Sequence, residues 1–381
     1  MADYYIDPST GDDTTGSGTS SYPWATLQKG IDNANGGDTI YLANTAADVV
    51  TSQINWSFFG STTGSNTTNP LMIRGWDNGG SITIASPVAT ITGVGEIDTT
   101  GQSLSPLFSG SSKPNDIIFY RIKFTGQGST GNTSVYVSCG NRWGFYECEF
   151  VADRYGAYCL GGGQDNQIVG CYLHSDGVST TSQGITSLGV NNRTSNVAYC
   201  YFKDLTRCIQ SVRGGIYSCV FDSIATNIPP LRQAQGAVFG NTIYTSGSTT
   251  TSLVEIHSAF LPVMNNIIKG ANGVGGVGIS TADGNTPFML GNNHFHDNST
   301  NMSATPRLSL GTDQTNDPTF TDAAGGDFSV GSNAQGKGYA GLPGSATTNY
   351  LNMGAVQEQA SSGGGGSSYT NVAAAKFTRL E

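Results

Sequence analysis

The chain has 381 residues, 37% hydrophobic and 12% charged, with 17 Lys and Arg against 27 Asp and Glu for a net charge of −10. That length can bury a sizeable core, while the acidic balance excludes nucleic acid as a partner, because phosphate contacts need clustered Lys and Arg. No apolar run approaches the roughly 18 residues of a membrane helix, and the opening MADYYID has neither the basic start nor the apolar stretch of a secretory signal.

Residues 1–45 are expected to form an N-terminal cap made of a strand, a helix and a strand. The helix is predicted over 23–35, where Leu27, Ile31 and Ala34 fall on one helical face. Tyr22-Pro23 suits its start and Gly36-Gly37 its end. DTIYL at 38–42 reads as the following strand.

Residues 46–316 carry a repeat: two apolar or small residues, an anchor, any residue, then a large apolar one. The copies are FYRIKF at 119–124, FYECEF at 145–150, IVGCYL at 168–173, VAYCYF at 197–202, IYSCVF at 216–221, VFGNTI at 238–243, VMNNII at 263–268 and MLGNNHF at 289–295. The anchors recur every 19 to 29 residues, and a second strand series lies between them. That cycle is too short for a propeller blade and suits one turn of a parallel β-helix, with coils stacked at about 4.8 Å.

The anchors Cys148, Cys171, Cys200 and Cys219 continue as Asn241, Asn266 and Asn293, which predicts a ladder of like side chains in the core. The cysteines read as stacked free thiols, since free Cys is among the most buried residue types. Disulfides would leave one of the seven over, and no CxxC or Cys/His spacing points to a metal. Many buried free thiols point to synthesis in a reducing cytoplasm.

Residues 317–359 are expected to close the solenoid, and 360–368 form a Gly/Ser linker. The peptide 369–381 that follows, with Tyr369, Val372, Phe377 and Leu380, is expected to dock on another subunit, as in strand addition.

YYIDPSTGDD at 4–13, PWATL at 23–27 and GGDTIYL at 36–42 resemble the opening of right-handed parallel β-helix proteins of the pectate-lyase-like superfamily. DPTF at 317–320, GDF at 326–328 and MGAVQ at 353–357 resemble their closing segment. The resemblance implies an all-β, right-handed parallel β-helix with an N-terminal capping helix and a flexible C-terminal arm. It implies little about activity, because the superfamily mixes lyases, hydrolases, epimerases, phage tailspikes and non-catalytic surface proteins.

Candidate catalytic residues follow the anchor strands: Asp153, Asp176, Asp204, Asp222 and Asp297. Stacked carboxylates there could hold Ca²⁺ or act as an acid/base pair on a sugar, although Asp also simply favours turns. Arg154, Arg207, Arg213 and Arg232 are candidate partners for a uronate. Glu255 and His257, two apart on a strand, share a face and form a second candidate pair, and His294 and His296 are spaced alike. Trp56, Phe58, Phe59, Trp76, Tyr155, Tyr158, Tyr172 and Tyr201 could line a sugar-stacking strip or stack within the coil. The sequence has no Gly-His-Gly with paired Asp as in polygalacturonases and no pectate-lyase-like Arg-x-Pro.

The resulting expectation is a non-enzymatic structural or adhesive part of a larger assembly, a phage virion protein docked through 369–381, with no cofactor and no metal. Its partners would be other subunits or virion proteins and surface glycans, in a virion or extracellular setting. The alternative is an extracellular polysaccharide lyase or glycoside hydrolase acting on an acidic glycan in a groove of the β-helix, with Ca²⁺ as its cofactor if one is used.

Overall fold

A computed structural model describes residues 1–56, 69–87, 89–100, 102, 107–109, 114–126, 135–152, 158–175, 182–186, 195–223, 228–247, 249–282, 284, 286–303, 308–309, 313–334 and 354–355. The chain divides into two compact units, Met1–Asn196 with Lys203–Leu205, and Val197–Phe202 with Thr206–Glu381. Each unit is a parallel β-solenoid whose coils contribute short strands to three sheets. The docking arm expected at 369–381, including Tyr369, Val372, Phe377 and Leu380, lies outside the described residues.

In the first unit, sheet one takes Thr39–Ala43, Leu71–Trp76, Ile117–Tyr120, Gly144–Tyr146 and Gln167–Val169. Sheet two takes Gly95–Thr99, Ile122–Gly126, Glu149–Ala152 and Tyr172–Ser175, and sheet three Val135–Ser138, Tyr158–Gly161 and Gln183–Thr186. In-register pairing stacks like on like: Ile40, Ile73, Phe119, Phe145 and Ile168 form one inward column, and Ile97, Phe124, Phe150 and Leu173 another. Phe119 and Phe145 stack at 5.0 Å with planes 4° apart, and Phe124 and Phe150 at 4.9 Å. The second unit repeats the plan with Ile216, Val238, Val263 and Leu290 on sheet one and Phe221, Ile243, Ile268 and Phe295 on sheet two. Because alternate residues face opposite sides of a strand, this register fixes which side chains the outer faces present.

The corner between sheets one and two is the most regular feature. The residue before each anchor is left-handed: Arg121, Glu147, Gly170, Tyr199, Ser218, Gly240, Asn265 and Asn292 all have φ between 50° and 65°. Six of the anchors, three cysteines and three asparagines, then donate to the carbonyl three residues before the anchor of the preceding coil. Cys148 Sγ reaches Phe119 O at 3.5 Å, Cys171 Sγ reaches Phe145 O at 3.4 Å and Cys219 Sγ reaches Val197 O at 3.7 Å. Asn241, Asn266 and Asn293 Nδ2 make the same bond to Ile216, Val238 and Val263 at 2.9, 2.9 and 2.8 Å. The asparagines also link to each other: Asn241 Nδ2 donates to Asn266 Oδ1, and Asn266 Nδ2 to Asn293 Oδ1, both at 3.0 Å. All seven cysteines, Cys200 among them, are buried free thiols.

The helix is shorter than the periodicity predicts. It spans Leu27–Asn33, with Thr26 as N-cap accepting from Lys29 N–H at 3.3 Å. Residues 23–25 are held otherwise: Trp24 bridges to Ile6, and Asp13 accepts the Ala25 and Thr26 amides. Leu27, Gly30 and Ile31 are buried, and a Cβ at Gly30 would sit 3.0 Å from the Ile6 side chain and 3.3 Å from that of Ile40, a tight fit that glycine relieves. At the other end of the sequence, the hairpin Phe320–Asp322 and Asp327–Val330 lies on the outer face of sheet two of the second unit. Phe320 and Phe328 meet Tyr244 at 5.9 and 5.5 Å, and Asp317 pairs with Lys269 at 3.0 Å.

Among the described residues no helix is long and apolar enough to cross a membrane.

Candidate active site

The outer face of sheet two in the first unit gathers titratable groups from successive coils. Glu96, Lys123, Glu149 and Tyr172 occupy one outward column, and Asp98, Thr125, Val151 and His174 the next. Lys123 Nζ lies 3.6 Å from Glu96 Oε1 and 4.0 Å from Glu149 Oε2. Thr125 donates to Glu96 Oε1 at 2.7 Å. His174 Nε2 lies 2.8 Å from Glu149 Oε1, and the Tyr172 ring stacks on the imidazole at 4.2 Å. The side chains of Glu149, Glu96, His174 and Lys123 are 7, 16, 19 and 25% exposed, so the group is largely desolvated yet open at one edge.

The hydrogen bonds of His174 place a proton. Its Nδ1 lies 2.8 Å from the Ser175 carbonyl, which only accepts, so Nδ1 carries hydrogen. Its Nε2 faces a carboxylate oxygen. Either Nε2 also carries hydrogen and donates to Glu149, or Glu149 is protonated and donates to Nε2. Both descriptions put one shared proton in the Glu149–His174 pair. Glu96 differs in its partners, which are the Lys123 ammonium and the Thr125 hydroxyl. Glu149 Oε2 is buried with no hydrogen-bond partner. The two carboxylates approach one ammonium, so their nearest oxygens lie within about 8 Å of each other, close enough to face one glycosidic bond.

The residues singled out from sequence lie elsewhere. Asp153, Asp176, Arg154, Phe58, Phe59 and Tyr155 lie outside the described residues, as does the side chain of Tyr158. Asp204 is exposed within the strand Tyr201–Leu205, with a left-handed φ of 54°. Asp222 is buried and receives the Tyr201 hydroxyl at 3.3 Å. Asp297 accepts from Asn272 at 3.1 Å. Glu255 stands on sheet three of the second unit, 3.8 Å from Arg232 Nε, beside a register shift in Leu231–Ala234 where Gln233 has φ 53°. His257 is exposed, and no hydrogen bond or ion pair joins it to Glu255. Arg207 bonds Gln210, and Arg213 donates to Gln235. His294 bonds the Asn316 carbonyl, and His296 lies 3.8 Å from Asp317. Of the aromatics, Trp56, Tyr172 and Tyr201 are buried, and Trp76 lies half-buried against Tyr5. Among the described residues no three His, Cys, Asp or Glu side chains group so as to hold a metal ion.

Glu96, Lys123, Glu149 and His174 escape a sequence search because each comes from a different coil, 27, 26 and 25 residues apart. The signal that could find two of them is the unconstrained position of the repeat: Lys123 and Glu149 directly follow their anchors.

No protein-family model matches the chain, and no curated protein matches it in sequence. Among solved structures it is similar to a glycoside hydrolase, with a TM-score of 0.54 and 10% identity over 83% of this chain and 96% of that one. It is also similar to pectate lyase Pel9A, with a TM-score of 0.52 and 11% identity over 94% of this chain and 96% of that one. These likenesses establish the fold as a right-handed parallel β-helix. They also correct the expectation of a non-enzymatic virion component: the structures the chain is similar to are a hydrolase and a lyase. That expectation leaned on missing linear motifs, which a site assembled one residue per coil does not leave in a sequence.

Proposed function

We propose that the protein is a glycan-cleaving enzyme of the glycoside hydrolase type, with the group on sheet two of the first unit as its centre. The observation that carries this reading is the pairing of a proton-holding Glu149–His174 dyad with a second carboxylate, Glu96, across Lys123. Hydrolysis of a glycosidic bond needs a proton donor for the leaving oxygen and a carboxylate that stays ionised. The dyad supplies the first, because its proton sits between two groups that exchange it. Glu96 supplies the second, as nucleophile or as base for water, positioned by Lys123 at 3.6 Å and by the Thr125 hydroxyl at 2.7 Å. Partial burial strengthens each of these interactions relative to water. A shared fold with a glycoside hydrolase and a pectate lyase supports a glycan substrate as a fold-level analogy.

The test is a panel of neutral and acidic polysaccharides, read for new reducing ends and for ultraviolet-absorbing unsaturated products. Hydrolysis without unsaturation is expected, and Glu149→Gln and Glu96→Gln should each lower kcat by about 10² to 10⁴-fold. Unsaturated products would replace hydrolysis with elimination. Full activity in both variants would remove the site from the reaction.

A further inference from the structure

The outer face of sheet one in the first unit carries a row of a different kind. Tyr5, Tyr41, Arg74, Tyr120 and Tyr146 share one register position on adjacent strands. Tyr5 and Tyr41 stack at 4.8 Å with planes 9° apart, and Trp76 meets Tyr5 edge-on at 5.0 Å. The Arg74 guanidinium lies over the Tyr41 ring at 5.5 Å and over the Tyr120 ring at 5.4 Å. Arg121 also approaches the Tyr120 ring, at 5.0 Å, but its charge is met by Glu147 at 2.7 Å. Arg74 has no such answer. Among the described residues no carboxylate or hydrogen-bond acceptor reaches it, and its Nε is buried without a partner.

An arginine offers five N–H donors in one plane, matched to the two oxygens of a carboxylate. Two rings against Arg74 hold that plane in place, so little rotamer freedom remains to be lost on binding. In a chain of net charge −10, a half-buried guanidinium without a counter-ion is an electrostatic vacancy for an anion. The neighbouring tyrosine hydroxyls, one per coil at about 4.8 Å spacing, suit the hydroxyls of an extended sugar chain rather than a compact ion.

We propose that Arg74 anchors a binding row for a linear acidic polysaccharide, taking the carboxylate of a uronic acid residue while Tyr5 and Tyr41 meet sugar hydroxyls. The row stands on a different sheet from the proposed hydrolytic centre and needs no turnover, so it stands or falls by binding alone.

The experiment is calorimetric titration of the full chain with oligogalacturonate, in the native protein and in the Glu149→Gln background. Sulfated dextran and a neutral galactose oligomer serve as the other arms. Saturable binding of oligogalacturonate is expected, equal in both backgrounds, weakening as salt rises. Arg74→Gln should weaken it about ten- to a hundred-fold, the loss of one charge-assisted bidentate contact. Arg74→Lys, which keeps the charge but not the fork, should recover only part, and it serves in place of Arg74→Gln if that variant does not fold. Unchanged affinity in both Arg74 variants, absence of binding, or tighter binding of the sulfated or neutral oligomer would each overturn the assignment. Failure of Glu149→Gln to alter hydrolysis would leave this result untouched.

Discussion

Replacing Asn266 by alanine is expected to be the most damaging single change in the corner ladder. Asn266 Nδ2 donates to Val238 O at 2.9 Å and to Asn293 Oδ1 at 3.0 Å. Its Oδ1 accepts the Asn241 backbone N–H at 2.9 Å and the Asn241 amide at 3.0 Å. Asn241 keeps a bond from its amide to Ile216 O, and Asn293 Oδ1 keeps the Asn266 backbone N–H. The Asn241 N–H loses the partner that satisfies it. An orphaned buried donor costs about 1–3 kcal/mol and each further lost bond about 0.5–1.5 kcal/mol, so the sum is about 4 kcal/mol. Cys219→Ala in the same unit is the control. It removes thiol contacts to Val197 O and Tyr217 O and a weak acceptor for the Cys200 N–H, which with the small cavity is worth about 1–2 kcal/mol. Urea unfolding followed by far-ultraviolet circular dichroism measures both, since the four tryptophans all lie in the first unit. If Asn266→Ala destabilises the protein no more than Cys219→Ala, the asparagines are packing residues and the hydrogen-bond account of the ladder is wrong.

Further outcomes concern charge, backbone and thiols. Burial pushes Asp48 up to about 6, against the bond it accepts from the Leu27 N–H. Since the folded state binds this proton more tightly than the unfolded chain, its contribution to stability should fall as pH rises from about 4 to about 6. Asp48→Asn keeps an acceptor for Leu27, so it should flatten that slope and raise stability at neutral pH by up to about 3 kcal/mol, measured by urea midpoints across pH. Gly240→Ala should cost about 1 kcal/mol from its left-handed backbone alone, because a Cβ there meets nothing closer than 3.5 Å. Ser218→Gly, one coil earlier, should gain up to about 1 kcal/mol by the same reasoning, and opposite signs in thermal melts are the check. Thiol titration should find seven reactive groups in denaturant without reductant, and almost none in the native state.

How far the sequence reaches follows from what repeats in it. The anchor column is legible because one side chain must do one job on every coil, so Cys148, Cys171, Cys200 and Cys219 pass into Asn241, Asn266 and Asn293 with the spacing of the solenoid. The helix start is less legible: the apolar period runs on from Pro23, but Asp13, ten residues upstream, captures the Ala25 and Thr26 amides and delays the first turn. The site is the least legible. Asp204 and Asp297 stand out as acids near strand ends, yet both have a left-handed backbone, where short polar side chains are at home. Glu96, Lys123, Glu149 and His174 look like ordinary surface charges one at a time, and only the register of sheet two brings them within bonding distance.

The corner ladder also has a direction. A cysteine coil asks little of the coil after it, since its own N–H can be met by Asn241 Oδ1, as for Cys219 at 2.9 Å, or weakly by sulfur, as for Cys200 at 3.5 Å. An asparagine coil needs a strong oxygen acceptor next in line, and the last one, Asn293, finds it in the Asp313 carboxylate at 2.9 Å. Thiol coils can therefore precede amide coils but not interrupt them, and a carboxylate is a natural terminus. For anyone lengthening this protein by duplicating modules, the insertion point is set: whole amide coils, spliced in ahead of Asp313, extend the fold, whereas a thiol coil grafted there would leave the Asn293 N–H a weak sulfur acceptor in place of a carboxylate.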